Sequence, residues 1–156
     1  MRITSPEFED GGRIPTQYTC EGDDVSPPLV IEDVPDGAVS LALIVDDADA
    51  PRGAFDHWIL WNIPADLRML PAEIPPDPTV AGLGAAAQGE NDFGRIGWAG
   101  PCPPPGRVHR YRFRVFALDT GLSLNPGTTR DRLEDAMEGH LLAEAELTGV
   151  YGRERR

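Results

Sequence analysis

The sequence predicts a mostly β protein, a two-sheet antiparallel β-sandwich with one or two short helices. The continuous apolar and β-branched run Val39–Val45 is typical of a buried strand. Over His109–Ala117, arginines alternate with Tyr111, Phe113 and Val115, which predicts a strand with one solvent face and one core face. Strand candidates follow one another without intervening helices, so the sheets are expected to be antiparallel.

Further strands are predicted on both sides of the first run. Arg2–Ser5 and Leu29–Ile31 are short candidates bounded by proline or acidic residues. A longer strand over His57–Ile63 ends at Pro64. Strict alternation would place one set of its side chains on one face (His57, Ile59, Trp61, Ile63) and the other set on the opposite face (Trp58, Leu60, Asn62).

One helix is predicted over Thr128–Glu138. Thr128 and Asp131 have the spacing of a capping box, and Gly139 is placed to end the helix. The next segment, Leu141–Tyr151, leaves two alternatives open, because its alanines and glutamates favour a helix whereas its alternation favours a strand.

A length of 156 residues is typical of one domain, and no internal boundary divides residues 1–156. The 17 glycines and 16 prolines indicate many turns and long loops. They are dense between Pro64 and Gly106, where no long element is predicted. Loops of that length in a small domain are usually functional.

The charge excludes some classes of partner. The 26 acidic residues outnumber the 14 arginines, lysine is absent, and the net charge is −12, which argues against nucleic acid or an anionic membrane surface. No apolar run is long enough for a membrane helix and no secretory signal is recognisable, so we expect a cytoplasmic protein without integral membrane association. Cys20 and Cys102 lack the close spacing of a metal site, and a cytosolic setting favours free thiols over a disulfide.

Three ionisable residues fall at predicted strand ends. Asp47 follows the predicted strand Val39–Val45. His57 begins the predicted strand His57–Ile63, and His109 begins the predicted strand His109–Ala117. Polar groups that converge at the rim of an apolar core are typical of a ligand pocket. Each residue alone has an ordinary structural explanation, since aspartates cap turns and buried histidines donate to carbonyls.

Several separated motifs make the chain resemble a known family. They are Tyr18–Gly22, Ser26–Leu29, Asp47–Pro51, His57–Trp58, Gly97–Gly106 with His109–Tyr111, and Leu147–Tyr151. Together they resemble the phosphatidylethanolamine-binding protein family, also called Raf kinase inhibitor-like proteins, and its small prokaryotic branch in particular. The likeness covers nearly the whole chain.

The resemblance implies a pocket at one end of the sandwich that binds phosphate, acetate or a phospholipid headgroup. It assigns to this pocket the residues Asp47, His57, Gly100, Pro101 and His109, with Pro51 and Tyr111 in the lining. Trp98, in the same loop, is a candidate for stacking on a headgroup. The resemblance also favours a strand over Leu141–Tyr151, and it suggests a more open pocket than in animal members, because the chain stops at Arg156 without their C-terminal helix.

These residue types suit an anion. Gly100 would allow the loop to aim backbone N–H groups at the ligand, and the following prolines would stiffen it. His57 and His109 can gain a positive charge near neutral pH. Asp47 would repel an anion unless it pairs with a histidine or becomes protonated, so we expect binding to be tighter at about pH 5.5 than at about pH 8.

The expected function is therefore non-enzymatic anion binding, with no cofactor and no metal. One alternative is a protein-interaction inhibitor of a kinase or protease, whose protein partner is unknown. The other is a hydrolase with an Asp/His pair, although the sequence has no Gly-x-Ser-x-Gly elbow and no His-x-x-x-His metal motif. The family resemblance suggests a homodimer.

Overall fold

Eight β-strands and one α-helix form the fold in the computed structural model, which describes residues 1–154. None of the helical segments in this part of the chain is long and apolar enough to cross a membrane. The elements are β1 (Arg2–Thr4), β2 (Leu29–Glu32), β3 (Ser40–Asp47), β4 (Phe55–Pro64), β5 (Met69–Leu70), β6 (Ala87–Gln88), β7 (Val108–Leu118), α1 (Arg130–Met137) and β8 (Leu141–Gly152).

The strands form two antiparallel sheets, which confirms the predicted sandwich. One sheet has the order β1-β2-β5 and the other the order β6-β4-β3-β7-β8. The segment with two alternatives is strand β8, as the family resemblance implied, and it pairs with β7 along nearly its whole length. The helix propensity of this segment is overridden by tertiary contacts, because β7 offers backbone hydrogen-bond partners along its whole length and an apolar face that β8 covers.

The five-stranded sheet is buried on both faces. Leu41, Leu43 and Val45 of β3 pack in the core between the two sheets. Ala42 and Ile44, from the opposite face of β3, pack in a second cluster that α1 completes with its buried residues. Burial on both sides explains why β3 is a continuous apolar run and not an alternating one.

Strand β4 departs from the predicted alternation. The pairs Val45–Trp58 and Asp46–Asp56 skip His57, and a second irregularity lies near Asn62, whose φ is +55°. Each bulge adds one residue and reverses the faces that follow it. The single face predicted for His57, Ile59, Trp61 and Ile63 is therefore wrong: Trp58, Leu60 and Ile63 lie in the core between the sheets, whereas Ile59 and Trp61 lie beneath α1.

The arginine face of β7 is the more exposed face, as the alternation predicted, but Arg112 and Arg114 are only partly exposed because they bind a buried carboxylate. Asp46, a fully buried residue of β3, accepts hydrogen bonds at 2.8 to 3.0 Å from Arg112, Arg114 and Arg130. Burial raises the pKa of the Asp46 carboxyl, but the hydrogen bonds from Arg112 and Arg130 outweigh it and leave the pKa below its ordinary value.

Arg130 is the first residue of α1 and links the helix to the sheet. Its guanidinium binds Asp56 as well as Asp46, both at 2.8 Å. The N-cap residue is Thr129, and its side chain makes no capping hydrogen bond, so the predicted capping box over Thr128 and Asp131 is wrong. Gly139 ends the helical segment with φ +82°, as predicted.

Cys20 and Cys102 form a disulfide, so the expectation of free thiols is wrong. Three hydrogen bonds join the same two chain segments: Cys20 N–H to the Pro101 carbonyl, the Trp98 indole N–H to the Tyr18 carbonyl, and Gly100 N–H to the Asp24 carboxylate. This contact is long-range, and sequence spacing could not reveal it.

The buried Asp46 gives a test of the arginine cluster. Asp46→Asn should lower the free energy of unfolding by about 3 kcal/mol, because three arginines lose their buried counter-charge. Glu32→Gln is the matched control, since the Arg2–Glu32 pair is exposed on both sides and should contribute less than about 1 kcal/mol. Urea unfolding monitored by tryptophan fluorescence measures both values, and equal losses would contradict the assigned role of Asp46.

Gly100 gives a test of the loop contact. A Cβ at this position would overlap the Tyr18 carbonyl oxygen and lie 2.5 Å from the Asp24 carboxylate. Gly100→Ala should therefore destabilise the protein by about 1–3 kcal/mol. Gly37→Ala is the control, because the nearest atom to its Cβ lies 3.8 Å away. Thermal unfolding separates the two variants, and an unchanged melting temperature for Gly100→Ala would show that the loop packs differently.

Candidate functional site

The register of the five-stranded sheet brings the three predicted ionisable residues together. Asp47 lies at the end of β3, where it pairs with Phe55 of β4 and with Tyr111 of β7. Both neighbours are antiparallel to β3, so they begin where β3 ends. His57 and His109 therefore lie within two residues of these pairs, at the same edge of the sheet.

A cavity of about 190 Å³ opens at this edge. That volume lies below the range of about 300–1,000 Å³ that is usual for pockets binding drug-sized molecules, and it suits a small ligand. Most of the lining is apolar, with four polar side chains. The lining residues are Asp47, Ala50, Pro51, Phe55, His57, Phe93, Cys102, Pro103, Pro104, His109 and Tyr111.

Asp47 does not present a bare carboxylate to the cavity. Its Oδ1 accepts the backbone N–H of Asp49 at 2.8 Å, and its Oδ2 lies 2.6 Å from Nδ1 of His109. The Asp47 and His109 side chains are each only 8% exposed. A carboxylate accepts hydrogen bonds, so His109 carries its proton on Nδ1 and donates it to Asp47. The two side chains are therefore hydrogen-bonded to each other within the wall of the cavity.

The imidazole of His57 is held in one tautomer. Its Nδ1 lies 2.5 Å from the carbonyl oxygen of Ala99 and must donate to it, which leaves Nε2 as the ring nitrogen that can meet a ligand. The rings of Phe55, Phe93 and Tyr111 surround the imidazole with centroids 5.3 to 5.4 Å away. Burial lowers the pKa of His57, and the hydrogen bond to Ala99 only partly opposes this effect.

The Tyr111 hydroxyl is the unsatisfied group of the site. The residue is 1% exposed, and its hydroxyl makes no hydrogen bond of good geometry within residues 1–154, although it lies near the Asp47 carboxylate and the backbone of Cys102. Burial and the negative charge of Asp47 raise the pKa of this phenol, so it keeps its proton. A buried hydroxyl without a partner costs about 1–3 kcal/mol, and a ligand that accepts its hydrogen bond would remove this cost.

Three residues assigned to the pocket from the sequence lie outside its lining. The Trp98 indole packs in the core at 5.5 Å from the Trp58 ring, so the prediction that it stacks on a headgroup is wrong. The Gly100 N–H donates to Asp24 at 2.7 Å and is not directed at a ligand. Pro101 is buried, and its carbonyl accepts from Cys20. The loop instead lines the cavity with its next three residues.

The cavity also contains residues that sequence reasoning did not assign. The aromatic wall comes from Phe55, two residues before His57 on the same strand, and from Phe93, in the long loop. The spacing of Phe55 from His57 was a usable signal, whereas nothing in the sequence distinguished Phe93. Within residues 1–154, no group of three or more His, Cys, Asp and Glu side chains is arranged to hold a metal ion.

Sequence relatives are found in archaea and bacteria. A protein from Pyrococcus abyssi is 55% identical over 154 residues, covering 98% of this chain and 86% of its own length. A protein from Methanothermobacter thermautotrophicus is 49% identical over 158 residues, covering 98% of this chain and 99% of its own length. Both carry the group name UPF0098, which states no activity.

Solved structures share both sequence and fold with this chain. A crystal structure from Chlamydia trachomatis, described as a homologue of phosphatidylethanolamine-binding protein, has a TM-score of 0.88 at 41% identity and covers 98% of this chain and 97% of its own. The Escherichia coli protein YbcL, described as a member of the mammalian family, has a TM-score of 0.90 at 35% identity, with 98% of each chain covered. The family model described as phosphatidylethanolamine-binding protein matches residues 4–152. The chain therefore belongs to the phosphatidylethanolamine-binding protein family.

Proposed function

We propose that this chain binds a small oxyanion, such as phosphate or a phosphorylated headgroup, in the cavity at the end of β3 and performs no chemistry on it. The observation that carries the proposal is the Tyr111 hydroxyl, which is buried, protonated and without a hydrogen bond of good geometry in the wall of a small cavity. A proton donor in this position needs an acceptor, and the oxygens of an anion are strong acceptors.

The histidines add donors that an anion can use. His109 is oriented by Asp47 in the way that a carboxylate orients the imidazole of many binding sites. Since both oxygens of Asp47 already accept hydrogen bonds, its repulsion of a second anion is reduced. Side chains, and not the Gly100 amide, therefore supply the attraction in a protein whose net charge is −12.

Binding should be linked to proton uptake. His57 is neutral at neutral pH because burial lowers its pKa, and its Nε2 then carries a lone pair that repels an anion. An anion in the cavity favours the imidazolium form and raises this pKa. Alternatively, the more protonated form of the phosphate group binds and donates its proton in a hydrogen bond to Nε2, and this form becomes rarer as the pH rises above the second phosphate pKa of about 6. Both routes make the complex richer in protons than its separate components, so affinity must fall as the pH rises.

The lining argues against catalysis by nucleophilic attack. Among the residues around the cavity there is no serine, threonine or free thiol, because the Cys102 sulfur is held in the disulfide. Tyr111 is a poor nucleophile, since its pKa is raised. The Asp47–His109 pair therefore has no serine, threonine or free thiol in the lining that it could activate.

Modulation of a protein partner is the second candidate. Phe93 is 44% exposed at the cavity, where the Arg95 guanidinium lies 5.6 Å from the centre of its ring. An exposed aromatic residue beside a binding cavity is the kind of group that protein interfaces use. A partner that carries a phosphate or carboxylate group would satisfy both proposals at once.

The pH dependence can be measured directly with inorganic phosphate. Isothermal titration calorimetry should show affinity higher at about pH 5.5 than at about pH 8, by about fivefold or more. Titration in buffers of different ionisation enthalpy should show net proton uptake at about pH 6.5. Equal or reversed affinities would contradict the proposed role of His57.

Tyr111→Phe separates ligand binding from folding. The substitution removes a hydroxyl that makes no hydrogen bond of good geometry, so the free energy of unfolding should stay unchanged or rise by up to about 3 kcal/mol. Phosphate affinity should fall about tenfold, because a hydrogen bond to an anion is lost.

Tyr18→Phe is the matched control for this experiment. Its hydroxyl donates to Glu7 at 2.6 Å and lies outside the cavity lining, so its loss should reduce stability and leave phosphate binding unchanged. If Tyr111→Phe lowers stability as Tyr18→Phe does and leaves the affinity intact, the hydroxyl has a structural role and the proposed site is wrong.

A further inference from the structure

The Cys20–Cys102 disulfide lies where a binding site and a solvent-exposed surface meet. Both cysteines are exposed, and Cys102 is part of the cavity lining. Disulfides that only stabilise a fold are commonly buried, whereas exposed ones are open to attack by external thiols. The position of this bond therefore permits thiol–disulfide exchange at the wall of the cavity.

A cation distinguishes the two sulfur atoms. Nη1 of Arg153 lies 3.9 Å from Sγ of Cys102 and 3.4 Å from the carbonyl oxygen of Pro103. Within residues 1–154, no carboxylate oxygen lies within 4.0 Å of this guanidinium. A positive charge beside a sulfur atom stabilises its thiolate, so Cys102 is the better leaving group of the pair and the more reactive thiol once reduced.

The two segments joined by the disulfide do not depend on it alone. Cys20 N–H donates to the Pro101 carbonyl at 3.1 Å, Trp98 donates to the Tyr18 carbonyl at 3.2 Å, and Gly100 donates to Asp24 at 2.7 Å. None of these hydrogen bonds involves a sulfur atom. They can hold the loop in place in the reduced protein, which a reversible exchange requires.

We propose that the Cys20–Cys102 disulfide is a thiol-exchange site in which Cys102 is the activated thiol. The thiolate of a small thiol or of a protein dithiol attacks Sγ of Cys20, a mixed disulfide forms there, and the Cys20–Cys102 bond breaks with its electron pair on Cys102. A second thiolate then attacks the external sulfur of the mixed disulfide, releasing the oxidised reagent and the Cys20 thiolate, which takes a proton from water. The reductant loses two electrons and the protein gains them.

Thiol exchange at Cys102 would change the affinity of the cavity for an anion. The Cys102 thiolate adds a negative charge to the cavity lining, so it should weaken the binding of an anion, and a bound anion should in turn slow the reaction of Cys102. This coupling, unlike the exchange itself, rests on the proposed anion-binding function.

Competitive alkylation tests the exchange site. The full chain is reduced with dithiothreitol, freed from it, and treated with limiting iodoacetamide at about pH 7, and peptide mass spectrometry compares the two cysteines. Cys102 should react at least about threefold faster than Cys20. Arg153→Gln should remove most of this difference, whereas Arg107→Gln, which replaces an exposed arginine of the neighbouring cleft, should preserve it.

The outcomes distinguish the exchange site from the proposed function. Equal reaction rates, or a preference for Cys102 that Arg153→Gln leaves intact, would overturn the exchange site. Loss of the native tryptophan fluorescence on reduction would overturn it too, because exchange requires both redox states to be folded. If Cys102 is selective but inorganic phosphate does not slow its alkylation, the exchange site stands and its coupling to the cavity is overturned, whereas the anion-binding proposal fails only if calorimetry of the oxidised protein shows no phosphate binding.

Discussion

The buried end of β3 is the constraint on which this structure depends. Asp46 and Asp47 are consecutive and both are buried, so their side chains leave the strand on opposite faces and each needs its own partners. Asp46 pairs with three arginines, one of them the first residue of α1, so this cluster links the helix to the sheet. Asp47 obtains His109 and a backbone N–H, and this pair forms one wall of the cavity. One strand end therefore organises both the helical layer and the candidate site.

Elements with a simple pattern could be predicted from the sequence. The alternation in β7 and the apolar run of β3 each report burial on defined faces, and the structure has both strands within one or two residues of the prediction. Strand β4 could not be predicted in this detail, because bulges at His57 and Asn62 leave no mark on the pattern of apolar residues. The faces beyond each bulge are decided by pairing with β3, which is a tertiary property.

In the candidate site, too, some residues could be predicted from local sequence patterns and others could not. Asp47, His57 and His109 were predictable because their strand positions determine which edge of the sheet they share, whereas Tyr111 was assigned to the pocket from the family resemblance. The role of Gly100 was not predictable, because its N–H donates a hydrogen bond to Asp24, a residue far away in the sequence. The disulfide and the aromatic contribution of Phe93 also depend on how the long loop returns to the sheet. Contacts of this kind arise from chain topology and not from local sequence.

The central claim is that an acidic protein binds an anion through a few buried donors, whatever its net charge. A crystal structure of the protein with inorganic phosphate, grown at about pH 5.5, tests this claim most directly. The account predicts phosphate with one oxygen about 2.5–3.0 Å from the Tyr111 hydroxyl and another within hydrogen-bond distance of Nε2 of His57. A phosphate-free cavity, in which the Tyr111 hydroxyl donates to Asp47 or to ordered water, would contradict it.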